Sequence, residues 1–201
     1  VAEVTYALTQ SNVVADASAD TTGVETASLA GLSGLDITLE GTPTAAEIAT
    51  FESNYTVGTI TGDLGTQALA DLIDSTNTTN GIQNAGNDLD VVATSALVGG
   101  VQTVTAADAI SLLALTTGEV TFDNGSGSAP TFTGSAADLA SVFGNSGSVA
   151  AGLLGPVTVT DAAGSIVQAS DLKTIVAGTT DLVTVSNAVT LSGLIADINS
   201  V

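Results

Sequence analysis

A four-residue phrase occurs three times in the chain, and each copy is typical of the start of a helix. The copies are Thr44–Glu47, Thr105–Asp108 and Ser135–Asp138, which read TAAE, TAAD and SAAD. In each copy a hydroxyl residue precedes a carboxylate by three positions. This is the spacing of a capping box, in which two side chains satisfy free amide groups of the first helical turn. The recurrence predicts tandem supersecondary repeats; the alternative is one α+β domain whose Ala-rich helix starts coincide by chance.

Short β-like runs precede these phrases, and apolar residues at helical spacing follow them. Two further units keep this rhythm without the phrase, at Val157–Thr160 and Leu182–Val185, and a weaker one runs from Ile60 into Leu69. Gly100–Thr105 also matches Gly155–Thr160 at an offset of 55 residues. We therefore predict an α+β fold of about three strand–helix–strand–helix (βαβα) units, over roughly 35–99, 100–154 and 155–201.

The first 34 residues do not fit the repeat and are treated as a separate segment, 1–34, before the repeat domain 35–201. Val4, Tyr6 and Leu8 alternate with polar or small residues, which predicts an extended N-terminal strand. Asn12–Gly34 is rich in small and polar residues and is interpreted as a connector. Such a strand can insert into a neighbouring copy or pair with the chain's own sheet, and both interpretations stay open.

The charged residues are almost all acidic. The chain has 21 Asp and Glu against a single base, Lys173, and it has no Arg, His, Cys, Met or Trp, which gives a net charge of −20. Without imidazole, thiolate or guanidinium groups, the usual acid–base and nucleophilic machinery is missing, so we predict that the protein is not an enzyme and uses no cofactor. A polyanion also repels nucleic acid and anionic bilayers, which argues against both as partners.

The apolar content is high but contains few aromatic residues. Hydrophobic residues make up 44% of the chain, aromatic residues 3%, and the mean hydropathy is +0.48. These values argue against disorder. The longest apolar stretch, Val149–Val157, contains Pro156 and is far shorter than a membrane span, so no membrane insertion is expected. The surplus apolar surface is instead expected to lie in contacts between copies of the chain.

Carboxylates are the only candidate ligands for an ion. Asp88 and Asp90 alternate beside Asn87, and Asp123 and Asn124 begin a loop rich in Gly and Ser. Oxygen ligands of this kind suit Ca²⁺, so Asp88, Asp90 and Asp123 are candidate calcium ligands. The alternative is that both segments are turns, since Asn, Asp, Gly and Ser favour turns for backbone reasons.

Three segments resemble the tandem repeats of giant cell-surface proteins of marine cyanobacteria. They are Val157–Ala163 (VTVTDAA), Ala109–Gly118 (AISLLALTTG) and Glu119–Phe122 (EVTF). The likeness, in rhythm and composition, covers residues 100–201 well and 35–99 loosely. It implies an exported matrix or surface-layer protein without catalysis.

Three functions are consistent with these features. The first is an extracellular structural subunit that polymerises with copies of itself into a filament or surface layer, with Val1–Gln10 as a candidate exchanged strand. The second is an adhesion module of a larger surface protein, which contacts divalent cations or cell-surface glycans through loops near 74–90 and 123–130. The third is a virion decoration or fibre protein.

Overall fold

The computed structural model describes residues 36–39, 41–54, 58–74, 82, 86–95, 97–98, 101–125, 128–145, 149 and 155–201. The predicted N-terminal strand, including Val4, Tyr6 and Leu8, therefore lies outside the described residues. The chain divides into two compact units. The first takes residues from 1–91 and 115–118, and the second takes residues from 92–114 and 119–201.

The first unit alternates strands with helices. Its elements are β1 (Ile37–Thr38), α1 (Ala45–Asn54), β2 (Ile60–Ala68), α2 (Leu69–Leu72) and β3 (Asp88–Thr94), whose last residues lead into the second unit. The three strands lie side by side in chain order, and β1 and β2 are parallel. Apolar side chains from helices and strands fill one core, which includes Ile48, Ile60, Leu64, Leu72 and Leu89.

The second unit continues this alternation over more elements. In chain order they are β4 (Leu97–Val98), β5 (Val101–Thr105), α3 (Ala106–Leu113), β6 (Val120–Asp123), β7 (Thr131–Gly134), α4 (Ala136–Gly144), β8 (Val157–Val159), β9 (Ile166–Gln168), α5 (Ala169–Gly178), β10 (Val183–Val185), β11 (Thr190–Ser192) and α6 (Ile195–Ile198). The helices α3 to α6 pack against one another in chain order.

A five-stranded sheet organises this unit in the order β10-β8-β7-β5-β4. Its four larger strands are parallel and in register, so that Thr105, Thr133, Thr158 and Thr184 form one column across the sheet. The residues that alternate with this column, such as Val104, Phe132 and Val157, are buried. A second parallel pair joins β11 to β9, the strands that follow β10 and β8 along the chain. The predicted α+β fold of tandem strand–helix units is therefore confirmed, and the structure adds that the paired strands of successive units are parallel.

The repeated phrases cap their helices, and the first copy forms a complete capping box. The Thr44 N–H and hydroxyl donate to Glu47 Oε2 at 2.7 and 2.9 Å, and the Glu47 N–H donates back to Thr44 Oγ1. The hydroxyl of Ser135 likewise accepts from the Asp138 N–H and donates to its carboxylate. Thr105 accepts from the N–H of Asp108. The described helices α1 to α6 all carry an acid in the first turn, which complements the positive end of the helix dipole.

The two units without the phrase differ from the sequence-based interpretation. After β8 and β10 the chain forms a second strand, β9 or β11, before its helix begins at Ala169 or Ile195. The reason after β8 is a turn at Gly164, where φ is +80°, a backbone conformation that glycine adopts without strain. The register between strands differs from the sequence offset of 55 residues. Thr105 aligns through Thr133 with Thr158, which is an offset of 53.

Close packing between repeats depends on small residues and on a few aromatic side chains. A Cβ on Gly134 would lie only 2.6 Å from Ala106 Cβ, so any side chain at position 134 would push the two repeats apart. Behind the sheet, Phe132 packs edge-to-face between Phe122 and Phe143, with ring centroids 5.4 and 5.5 Å apart. Such pairs add to the stability gained from burial alone.

A cap substitution tests this local account. Ser135→Ala removes the hydroxyl that caps α4, and it should lower the free energy of unfolding by about 1 kcal/mol in urea titrations. The matched control is Ser141→Ala, because that hydroxyl only bonds the Ala137 carbonyl within the same helix. Equal destabilisation by both substitutions would contradict a capping role for Ser135.

Candidate assembly surface at the end of the repeats

The predicted calcium ligands of the first unit lie on one strand. Asp88 and Asp90 are both exposed on β3, where they alternate with buried Leu89 and Val91, so they share one face as the pattern predicts. Asn87, whose side-chain oxygen could also bind an ion, does not share this exposed face. It is fully buried, its side-chain oxygen accepts from the Ile60 N–H at 3.0 Å, and its amide donates to Glu52. Asn87 therefore braces the core of the unit.

Asp123 ends β6 in the second unit and has a local role. Its carboxylate accepts from the backbone N–H of Gly125, which has a φ of +81°, and the Asn124 N–H donates to the Ser128 carbonyl. These contacts form a side-chain-stabilised turn, the alternative that the sequence offered for this segment. Among the residues that the structure describes, no three acidic side chains group together as a metal-binding cluster. Calcium binding by these acids stays a prediction.

The single cation is engaged in a surface ion pair. Lys173 on α5 places its Nζ 2.8 Å from Asp197 Oδ1 on α6, and half of the lysine side chain is exposed. An exposed pair of this kind contributes little to stability. The ion pair links α5 and α6, the last two described helices of the stack. Within the described ranges, no helix is long and apolar enough to cross a membrane.

In the last described repeat, apolar side chains are exposed at positions whose equivalents are buried one repeat earlier. Val159 on β8 is fully buried, whereas its partner in register, Val185 on β10, is 39% exposed. Ala169, the first residue of α5, is fully buried, whereas Ile195, the first residue of α6, is 77% exposed. Each inner repeat is covered by the repeat that follows it. Nothing among the described residues covers the last one.

We call the exposed apolar part of the last repeat the terminal face. Its six residues are Leu182, Val185, Leu194, Ile195, Ile198 and Val201. Their exposed fractions range from 39% to 77%. Apolar surface exposed in this way is a candidate for contact with another macromolecule.

The edge of β10 adds unpaired backbone groups to this face. The Val157 N–H donates to the Leu182 carbonyl, and the Ser186 N–H donates to the Val159 carbonyl, both at 2.9 Å. Because neighbouring residues of a strand direct their backbone groups to opposite sides, Thr184 faces β8 while Val183 and Val185 face outward. The outward N–H and C=O groups form an open edge that can accept another strand.

The opposite edge of the same sheet is closed by a short hairpin. The strand β4 pairs antiparallel with β5, with Leu97 opposite Gln102 and Val98 opposite Val101. A two-residue antiparallel strand at an edge is one of the ways in which proteins block unwanted strand addition. Of the two ends of the described sheet, β10 is therefore the one open to a partner.

One feature of the sequence distinguishes the last repeat, although hydrophobic periodicity does not detect it. The first residue of α3, α4 and α5 is a buried alanine, at Ala106, Ala136 and Ala169. In α6 this position is Ile195. Within the second unit, the change from Ala to Ile at this position marks the repeat whose environment differs. Loops 74–90 and 123–130, proposed as a contact surface, lie partly outside the described residues.

Comparison of the chain with protein-family models, with curated proteins and with solved structures gives no match.

Removal of divalent cations tests the calcium prediction. If Asp88, Asp90 and Asp123 bind Ca²⁺ that stabilises the fold, EDTA should lower the midpoint of thermal unfolding and added CaCl₂ should restore it, because a ligand that binds only the folded state stabilises it. Asp90→Asn should then reduce the EDTA effect relative to Asp63→Asn, a control acid that accepts from the Gly65 N–H in a local turn. An unchanged midpoint would reject a structural calcium site.

Proposed function

We propose that this protein is a non-enzymatic structural protein of the cell exterior that assembles with copies of itself. The observation that carries the proposal is the terminal face. In the last repeat that the structure describes, Val185, Ile195 and other apolar side chains are exposed beside an unpaired strand edge, although Val159 and Ala169 are buried at the equivalent positions one repeat earlier. Exposed apolar residues beside an open strand edge favour contact with another polypeptide, which supports assembly.

The chemistry of the side chains supports a structural role. The chain has no His, Cys or Arg, and its one Lys is paired with Asp197 at the surface. Among the described residues, every buried side-chain nitrogen or oxygen has a hydrogen-bond partner. The polar groups of the core, such as Asn87, are thus used to hold the fold. This pattern favours a scaffold over an active site.

The surface charge supports an extracellular location. A chain with 21 acids and one base stays soluble through self-repulsion, and salt reduces that repulsion over about 8–10 Å. The absence of Cys is compatible with an oxidising exterior, where free thiols are vulnerable. The resemblance to the repeats of cyanobacterial cell-surface proteins points to the same location. Assembly in saline surroundings therefore fits both the charge and the apolar face.

A second candidate is an adhesion module, and the threonine column favours it. Thr105, Thr133, Thr158 and Thr184 repeat at the strand spacing of about 4.8 Å on the side of the sheet opposite the core. A row of hydroxyl groups of this kind suits a hydroxyl-rich ligand such as a surface glycan. Under this alternative the protein would act as a monomer, which separates it from the leading proposal.

Assembly of the whole chain is the direct test. In sedimentation velocity and negative-stain imaging, we expect species larger than a monomer whose proportion rises with protein concentration and with NaCl, because screening weakens repulsion between chains of charge −20. Deletion of residues 1–10 should limit growth if the N-terminal strand is exchanged between copies. A chain that remains monomeric at all concentrations and salt levels would contradict the proposal and leave the adhesion module.

A further inference from the structure

We propose that Asn124 is a site of spontaneous deamidation, and that the carboxylate of Asp123 restrains the reaction while the turn after β6 is folded. The sequence places Gly125 directly after Asn124, the pairing in which this chemistry is fastest. The reaction consumes water and needs no enzyme. The inference concerns a single chain and does not depend on self-assembly.

The chemistry of an Asn-Gly pair makes this position reactive. The backbone nitrogen of Gly125 attacks the side-chain carbonyl carbon (Cγ) of Asn124, and the new N–Cγ bond closes a five-membered succinimide ring. The Cγ–Nδ2 bond breaks, and Nδ2 leaves as ammonia with the proton that the Gly125 nitrogen has lost. Water then opens the ring at either carbonyl, which gives aspartate or isoaspartate. Glycine favours the attack because it has no Cβ to obstruct ring closure.

The backbone of the turn requires the glycine of this pair. Gly125 has a φ of +81°, in the left-handed region that favours glycine. Packing does not impose it, because a Cβ at this position would meet nothing closer than Gln102 Nε2 at 3.9 Å. The conformation of the turn therefore disfavours a larger residue after Asn124, and any protection of the pair must come from other groups.

Asp123 supplies such protection at the attacking nitrogen. Its Oδ1 accepts a hydrogen bond from the N–H of Gly125, the group that must lose its proton before the attack. A carboxylate holds that proton more strongly than a neutral acceptor does. The charge of Asp123 also opposes the reaction, because the deprotonated nitrogen and the oxyanion that forms on Asn124 would both lie beside it.

The main chain adds a second restraint. The Asn124 N–H donates to the Ser128 carbonyl at 2.8 Å, and the residue before it, Asp123, is the last residue of β6. These contacts hold Asn124 at the end of a strand, whereas ring closure requires its side chain and the next peptide group to turn toward each other. Gly125 is exposed, so solvent reaches the pair. Protection at this site therefore comes from hydrogen bonds and charge, since Gly125 is not buried.

Deamidation of Asn124 would damage the turn. Either product places a second carboxylate next to Asp123, and like charges at neighbouring positions repel. Isoaspartate also adds one carbon to the main chain between residues 124 and 125. The extra carbon would displace the Gly125 N–H from Asp123, so a modified chain would lose the hydrogen bond that restrained the reaction.

The rates in the folded and the unfolded chain give the first test. The full chain is incubated in mildly alkaline buffer with and without urea, and deamidation at each asparagine is followed by peptide mass spectrometry. Asn124 should react at least about tenfold more slowly in the folded chain, because its hydrogen bonds must break first. Asn80, which also precedes a glycine, gives the reference rate in urea. Equal rates at Asn124 with and without urea, or no reaction in urea, would overturn the proposal.

Substitution of Asp123 tests the assigned restraint. Asp123→Ala removes the acceptor and the charge, and should speed deamidation of Asn124 in native buffer at least about tenfold. Asp123→Asn keeps an oxygen that can accept from Gly125 but removes the charge, so its rate should lie between those of the wild type and Asp123→Ala. Asp181→Ala removes an exposed acid elsewhere in the second unit and should leave the rate unchanged.

The outcomes are decided by the comparison with this control. A rate for Asp123→Ala no higher than that for Asp181→Ala would show that Asp123 does not restrain the reaction. Circular dichroism checks that each variant is folded. Should Asp123→Ala not fold, the decision rests on Asp123→Asn, for which a rate equal to that of the wild type would contradict the proposal. Neither result bears on self-assembly, which sedimentation measures separately.

Discussion

The in-register stacking of parallel strands is the constraint on which the second unit depends. Each repeat buries one strand face and one helix face, and only the neighbouring repeat can cover them. Val157 and Val159 are buried on β8, which pairs with β10 at one edge and with β7 at the other, and Gly134 permits close approach to Ala106 of the preceding repeat. A repeat that no neighbour covers therefore leaves an edge and an apolar face, as the last described repeat does at the terminal face.

The sequence predicted the local structure well because its signals were local. Helix caps act over three residues, and in all three copies the hydroxyl accepts from the amide three residues later, as the spacing predicts. Register was harder, since Thr158 and Thr160 occupy equivalent positions in an alternating Val-Thr run. Only the turn at Gly164 and the contacts of β8 decide between them. A shift of two residues preserves the buried face, so hydrophobic pattern alone does not detect it.

The terminal face was harder still to predict, because it is defined by the lack of a covering neighbour among the described residues. Leu182, Leu194 and Ile195 have the composition of core residues, and no described neighbour covers them. In the sequence, the acids were candidate ligands because carboxylates can bind ions. In the structure Asp123 stabilises a turn, and Asn87 braces a core. Under the proposed assembly, charge and apolar surface have complementary consequences, because the acids would keep copies apart in dilute salt and the terminal face would join them when repulsion is screened.

Residue-resolved hydrogen exchange of the β10 amides tests the central claim most directly. In dilute protein at low salt, the Thr184 N–H, which faces β8, should be protected, whereas the outward N–H groups of Val183 and Val185 should exchange fast. At high concentration and high salt, all three should be protected, because a second copy covers the edge. Rapid exchange at Val183 and Val185 under every condition would contradict the account, since the open edge of the last repeat would then have no partner.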